Sequence, residues 1–367
     1  MHGRRVIPST VAAVPWSTAP MHVQIRPLDF ASETDIAQLN ALDEAMDRDR
    51  FGGSEPFTVE QRRAVLRDTP YWRMQHWVAV AEPMDGGETI VGGASTHEAL
   101  QENLEAIHVG IEVHPAFRGH GIATALLEQA LIPAIRASGR TLVDAWAEIP
   151  AEGDPDDPAL PVNRLAARLG LSCKNIGVCR MLPLPLEESL LERLAAEAAE
   201  KQGAYRIERW DDAVPEEHLA AYGRLLTQLE LDDPSEELEF EAPEFPAERI
   251  RLMEQRHREQ GKRSILAVAI APDGTLAGNS EVQFQEGEAT TVGWQENTLV
   301  MPEHRGHRLG LALKVATHAA LREQAPRLRA LATWNSHVNP WMIAINEQLG
   351  YRVAFRELGL QGRPDLG

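Results

Sequence analysis

Arg118, Gly119, His120 and Gly121 follow the strand-forming stretch "GIEVHPAF" and open the helix-forming stretch "IATALLEQA". A strand that ends in a glycine-bearing turn and enters a helix is a ready anion site. The first backbone N–H groups of a helix have no partner inside it and point outward. The helix dipole adds partial positive charge at the same end. Glycine lets a phosphate approach the backbone with no side chain between them. Arginine adds charge-assisted hydrogen bonds. Residues 118–123, "RGHGIA", therefore have the parts to hold a pyrophosphate. The spacing is not the Gly-x-Gly-x-x-Gly of dinucleotide sites, and no Gly-Lys-Ser/Thr end marks a P-loop.

The stretch occurs twice. "VHPAFRGHGIATALLEQA" at 113–130 returns as "VMPEHRGHRLGLALKVAT" at 300–317. Trp146 returns as Trp334, "RLAARLGL" as "AINEQLGY", and the opening "HVQIRPLDF" as "YRIERWDD", all at an offset of about 185 residues. Four landmarks in one order indicate a tandem of related domains, 21–183 and 204–361. Residues 1–20 read as a mobile tail, and 184–203 as a linker helix ending at Gly203. Each half is expected to hold its own mixed sheet and core.

The elements that must position the loops follow from periodicity and turn residues. The first half reads as a strand at 22–28, helices at 33–50 and 58–67, and strands at 76–82, 89–97 and 104–113. A helix at 121–137, a strand at 141–148, a short helix at 162–169 and a strand at 171–182 follow. The second half repeats that order, with its helix after the loop at 309–323 and its late helix at 340–349. The fold class is α/β, with helices on a mixed α+β sheet.

Arg-x-x-Gly-x-Ala after "IEVHP" resembles motif A of the GCN5-related N-acetyltransferase (GNAT) family. That resemblance, carried twice over about 340 residues, implies two tandem acyl-CoA N-acyltransferase domains and acetyl-CoA as co-substrate. It implies that Ile111, Glu112 and Val113 offer backbone to the pantetheine arm. Arg118, Gly119, His120, Gly121, Ile122 and Ala123 would then hold the pyrophosphate. In the second half the matching residues are Thr298, Leu299 and Val300, then Arg305, Gly306, His307, Arg308, Leu309 and Gly310. Arg308 stands where the family has its central glycine. Its side chain either turns away or itself grips a phosphate; alternatively the second loop no longer binds. The retained Gly310 and the added positive charge favour binding.

The family's late helix carries an Asn toward the cofactor and a Tyr that protonates the departing thiolate. "NPWMIAINEQLGY" matches with Asn339, but the Tyr position holds Asn346. The first half has Ala159 and Ala166 at these positions. Acetyl transfer also needs a base, since only a neutral amine attacks. Glu296 is the candidate base, with an ordinary surface carboxylate as the alternative. Asn346 and Asn335 are candidate polar partners for thiolate or substrate. The first half offers His108 and Glu112. These features favour the second half as catalytic and the first as a structural or cofactor-retaining copy. The implied acceptor is a primary amine of a small molecule. The alternative is a coenzyme A-binding sensor with a degenerate catalytic apparatus, favoured by the missing Tyr.

Composition narrows the partners. The net charge of −19 disfavours nucleic acid and anionic lipid. No stretch approaches the roughly 20 apolar residues that span a bilayer. Two cysteines, Cys173 and Cys179, make no disulfide framework, and a reducing cytoplasm fits them. The histidines show no metal-ligand spacing, so no metal is expected. A monomer or homodimer is expected. Trp146 and Trp334 read as core aromatics. The acidic run 231–246 reads as a solvated loop, or as a steering surface for a cationic amine.

Overall fold

The computed structural model describes residues 23–81, 87–232 and 236–366. The expected tail at 1–20 lies outside the described residues. The first half runs β1 Val23–Pro27, α1 Glu33–Phe51, α2 Val59–Leu66, β2 Trp72–Ala81, β3 Thr89–Ala99 and β4 Ala106–Val113. After the loop comes α3 Ile122–Leu126, which passes through a π turn into α4 Ile132–Ser138. Next are β5 Leu142–Pro150, α5 Pro161–Arg168 and β6 Ser172–Pro183. A connecting helix, α6 Glu188–Gln202, ends at Gly203 in the left-handed region. The second half runs β7 Arg206–Asp211, α7 Leu219–Asp232, α8 Ala247–Glu259, β8 Lys262–Ile270, β9 Leu276–Gln285 and β10 Val292–Val300. It closes with α9 Leu309–Gln324, β11 Ala330–Ser336, α10 Pro340–Leu349 and β12 Arg352–Gly362.

All twelve strands form one sheet, in the order β1-β2-β3-β4-β5-β12-β6-β11-β10-β9-β8-β7. The halves do not hold separate sheets: they exchange their last strands. β12 pairs with β5 of the first half, Phe355 opposite Pro150 through Gly362 opposite Val143. β6 pairs with β11 of the second half, Pro183 opposite Ala330 through Gly177 opposite Ser336. Leu358 and Leu360 accordingly belong to the first half's core, with Ile107, Leu126 and Val143. Leu182 belongs to the second half's, with Leu331 and Leu349.

The acidic run is largely exposed where it is described, as a solvated loop would be, but its backbone is tied down. Glu237 N donates to Lys174 O at 3.0 Å and Glu239 N to the Gln361 side chain at 2.7 Å. Glu241 N donates to the Asn103 side chain at 2.8 Å. The segment is thus a strap across the first half. Its acidic side chains meet Lys174 and Arg363. Trp146 and Trp334 are 42% and 37% exposed rather than packed in the core. Apolar neighbours such as Ala145 and Ala147 face α3, so strand alternation turns the tryptophan to the opposite face.

Candidate active site

In each half the strand before the loop parts from its parallel neighbour. β4 pairs with β5 only from Ala106 to His108, and β10 pairs with β11 only from Val292 to Trp294. Beyond those points Ile111, Glu112 and Val113 on β4, and Thr298, Leu299 and Val300 on β10, present a backbone edge to an opening instead of to a strand.

The two loops differ in what surrounds them. In the first, Gly119 and Gly121 have φ of 83° and 82°, and an added Cβ at either would meet nothing within 4 Å. Gly121 is the N-cap of α3, so its exposed backbone turns the first N–H groups of the helix outward. Ile122 is buried under the loop, and Ala123 is the small residue behind it. His120 Nδ1 lies 2.9 Å from Arg118 O, which fixes the turn from inside. Arg118 meets Asp49 at 2.7 Å, both about half exposed, an arrangement worth little and easily exchanged.

The second loop is occupied by its own chain. Arg308 keeps the backbone course of the glycine it replaces, at φ 54°. Its side chain turns to α6, donating to Glu197 O at 2.7 Å and to Glu200 at 3.1 Å. His307 Nδ1 lies 3.2 Å from Lys201 O, and its ring packs on Tyr205. Arg305 is paired with Asp232. The carbonyl end of α6, partially negative and carrying two carboxylates, therefore faces the N-terminus of α9 where an anion would sit. Gly306, with φ 88°, is exposed; Leu309 and Gly310 are buried, and a Cβ on Gly310 would come 3.1 Å from Ile345 of α10.

The other second-half candidates separate into two groups. Asn346 and Asn335 are brought together, at 3.3 Å, but both are already engaged. Asn346 Oδ1 accepts from Lys314 Nζ at 2.7 Å and Asn335 Oδ1 from Arg180 at 2.8 Å. Asn339 caps α10, accepting from Met342 N at 3.2 Å. Glu296 sits in a bulge of β10, between Gln295 and Thr298. Its tip is exposed, yet protein surrounds it closely, and burial pushes its pKa up against the pull of Lys262. Its charged neighbours are Lys262, Glu281 and Glu55, not the asparagines.

The first half carries a group that no local pattern shows. Arg50, at the end of α1, reaches Glu148 of β5 at 2.9 Å and Glu112 of β4 at 3.4 Å, spanning the parted strands. Glu357 of β12 stands opposite Glu148. Burial pushes Glu148 up, with Arg50 opposing; it pushes Glu357 up to about 7, with Glu148 adding to the rise. On α1, burial takes Asp43 up to about 7 despite its ion pair with Arg62, and Asp47 up to about 6. His108 lies beside His97 on the same face, and burial lowers it to about 4, so it is neutral at pH 7. Sequence reading named Glu112 and His108 but missed the other acids, which come from α1, β5 and the exchanged β12. Among the described residues no group of three or more His, Cys, Asp or Glu is arranged to hold a metal ion, and no helix is long and apolar enough to cross a membrane.

Comparison with known proteins agrees with this geometry. Residues 72–152, from β2 through the loop into the turn after β5, match the family model "Acetyltransferase (GNAT) domain". Among solved structures, the chain is similar to a tandem GNAT protein from the clavulanic acid biosynthesis pathway. The identity is 24% over 94% of this chain and 99% of that one, with a TM-score of 0.72. It is also similar to a GCN5-related N-acetyltransferase from Sphaerobacter thermophilus, at 18% identity over 93% and 96% of the chains, TM-score 0.60. Saccharomyces cerevisiae N-myristoyltransferase shares the fold at 12% identity over 96% and 81%, TM-score 0.53. No curated protein matches the sequence. Residues 72–152 form a GNAT acetyltransferase domain, and the whole chain has the tandem GNAT fold.

In this tandem GNAT fold the second half's interior holds a titratable group. Lys314 is fully buried on α9, and burial lowers its pKa to about 7. The unfolded chain holds that proton up to about pH 10.4, so it binds more protons than the folded chain between pH 7 and 10. Stability from this group therefore rises with pH across that window. Replacing the pair, Lys314→Met with Asn346→Leu, is expected to stabilise the protein by about 1–4 kcal/mol at pH 7. Urea melts at pH 7 and 9.5 check this: the gain shrinks at the higher pH. A loss of stability at both would show that the pair supports the fold.

Proposed function

We propose that the protein is an N-acetyltransferase that moves the acetyl group of acetyl-CoA to a primary amine of a small molecule, with the reaction in the first half. Its domains are 21–183 and 204–361, joined through 184–203. The observation that carries this reading is the contrast between the loops. The first presents two left-handed glycines, open space and a free helix N-terminus; the second is met by the carbonyl end and carboxylates of α6. The residues of the first loop fit a pyrophosphate, because nothing stands where it would approach the backbone.

Acetyl-CoA, when bound, supplies an acetyl thioester. The chain supplies the rest. Gly119 to Ala123 and Arg118 bind the diphosphate through backbone N–H groups and one guanidinium. The β4 edge at Ile111 to Val113 holds the pantetheine arm, and its N–H groups stabilise the oxyanion. Glu148 takes the proton of the attacking amine, its pKa raised by burial toward that task. Arg50 holds Glu148 and Glu112 in place across the opening. The C–N bond forms as the C–S bond breaks, and water protonates the thiolate, because Ala166 stands at the position of the family's Tyr.

Calorimetry with coenzyme A, followed by thiol release with a panel of primary amines, tests this. One coenzyme A per chain and turnover with at least one amine are expected. Two sites per chain would overturn the assignment of a single loop. Binding without turnover on every amine would favour the sensor reading.

A further inference from the structure

The face of the sheet opposite α3 and α9 is covered by helices at both ends, and its middle is bordered by Phe51 and by the strap at 236–241. α1 packs on β3, and α7 and α8 pack on β9 and β8. Between them, over β5, β12, β6 and β11, lies a cavity of about 390 Å³ walled by Trp146 and Trp334, with Asn175, Ser336 and Glu357. A second cavity of equal volume, beside Asp211, Arg263 and Arg327, shares no residue with either parted strand pair.

The central cavity exists because of two glycines. Gly359 stands opposite both Trp146 and Asn175, and Gly177 opposite both Ser336 and Glu357. A Cβ on Gly359 would fall 2.9 Å from the Trp146 ring, so that indole lies flat on bare backbone. A Cβ on Gly177 would lie 3.7 Å from that of Glu357, so a side chain there would stand in the cavity. Trp146 and Trp334 are three strand spacings apart, about 14 Å along the sheet. Trp334 stacks on Trp294 and makes edge contacts with Phe51 and Phe355.

Of the polar groups here, Ser336 already meets Glu236 and Val338 N, and Asn175 has a partner of its own. Glu357 is half-buried and has no hydrogen bond or ion pair among the described residues. Neither indole N–H donates a hydrogen bond among them. The nearest guanidinium, Arg50, is already shared by Glu148 and Glu112. A partly buried carboxylate beside another, between two indole rings, lacks a cation.

We propose that this cavity binds the acceptor, and that the acceptor is an organic dication: its reacting amine at Glu148, its second ammonium over the glycine floor between Glu357 and the face of Trp334. This rests on the first half being the catalytic one. From β5 to mid-cavity is about two strand spacings, close to 10 Å, so about six methylenes separate the two nitrogens.

The test compares 1,6-diaminohexane with 1-aminohexane, which differ by the second ammonium alone, by calorimetry on the full chain without coenzyme A. The diamine is expected to bind about tenfold more tightly or better. Glu357→Gln, which keeps the shape of the side chain, and Trp334→Ala should each remove that preference. Equal affinity for the two amines, or a preference unchanged in Glu357→Gln, overturns the proposal even if Trp334→Ala fails to fold. Because no cofactor is present, the outcome is separate from the reading of the first half as catalytic. A diamine preference without turnover would sink the catalytic reading and leave the cavity assigned.

Discussion

Gly121→Val abolishes coenzyme A binding by the full chain, while Arg308→Ala leaves it unchanged. Gly121 sits at φ 82° with open space on its Cβ side. Valine there is strained by about 1–3 kcal/mol. Its branched side chain also fills the space through which a phosphate reaches the backbone of α3. Losing two charge-assisted hydrogen bonds, at about 1.5–3 kcal/mol each, is a loss of about a hundredfold or more. Gly139→Val is the control: Gly139 has φ 69°, equal open space, and caps the far end of the same helical segment. It carries the strain without the phosphate and should bind normally. Arg308→Ala gives up contacts to α6, not to a ligand. Calorimetry on the three variants decides. Normal binding in Gly121→Val with weak binding in Arg308→Ala would return the cofactor to the second half.

A chain stopped after Tyr351 does not form a folded first half, although residues 21–183 are all present. The stop removes β12, which lies between β5 and β6. It takes Leu358 and Leu360 out of the first half's core, at about 2–5 kcal/mol each. Together that matches much of the total stability of an ordinary domain, about 5–15 kcal/mol. It also bares two strand edges in mid-sheet, which invites aggregation. Near-ultraviolet circular dichroism and coenzyme A binding report the result. A truncated chain that binds coenzyme A and melts cooperatively would show that β12 is dispensable to the first site.

These two expectations divide what the sequence shows from what it hides. Helix and strand positions were legible because each repeats its period locally: α9 at Leu309–Gln324 and α10 at Pro340–Leu349 fall where the residues place them. The glycine-bearing turns were legible because glycine and a helix start define them within six residues. The exchange of β6 and β12 was not, because a strand's alternation is the same whichever partner it takes. The fate of Arg308 was not, because its partners, Glu197 and Glu200, sit more than a hundred residues earlier. The acids around Arg50 were dispersed over α1, β4, β5 and β12, and the exposure of Trp146 depended on which face the helices left bare. Local physics set the elements and the loops; the acidic group around Arg50 arises only from long-range assembly.

The exchanged strands also fix an order of events on the ribosome. Residues 21–183 emerge first and hold every helix of the first half, the loop at 118–123 and Glu148. Yet β5 gains its second neighbour only when residues 352–362 have cleared the exit tunnel. A nascent chain of this protein therefore cannot mature its first site during synthesis of the second. Until Gly362 has cleared the tunnel, the leading half waits with an open seam, dependent on chaperones or on its own solubility.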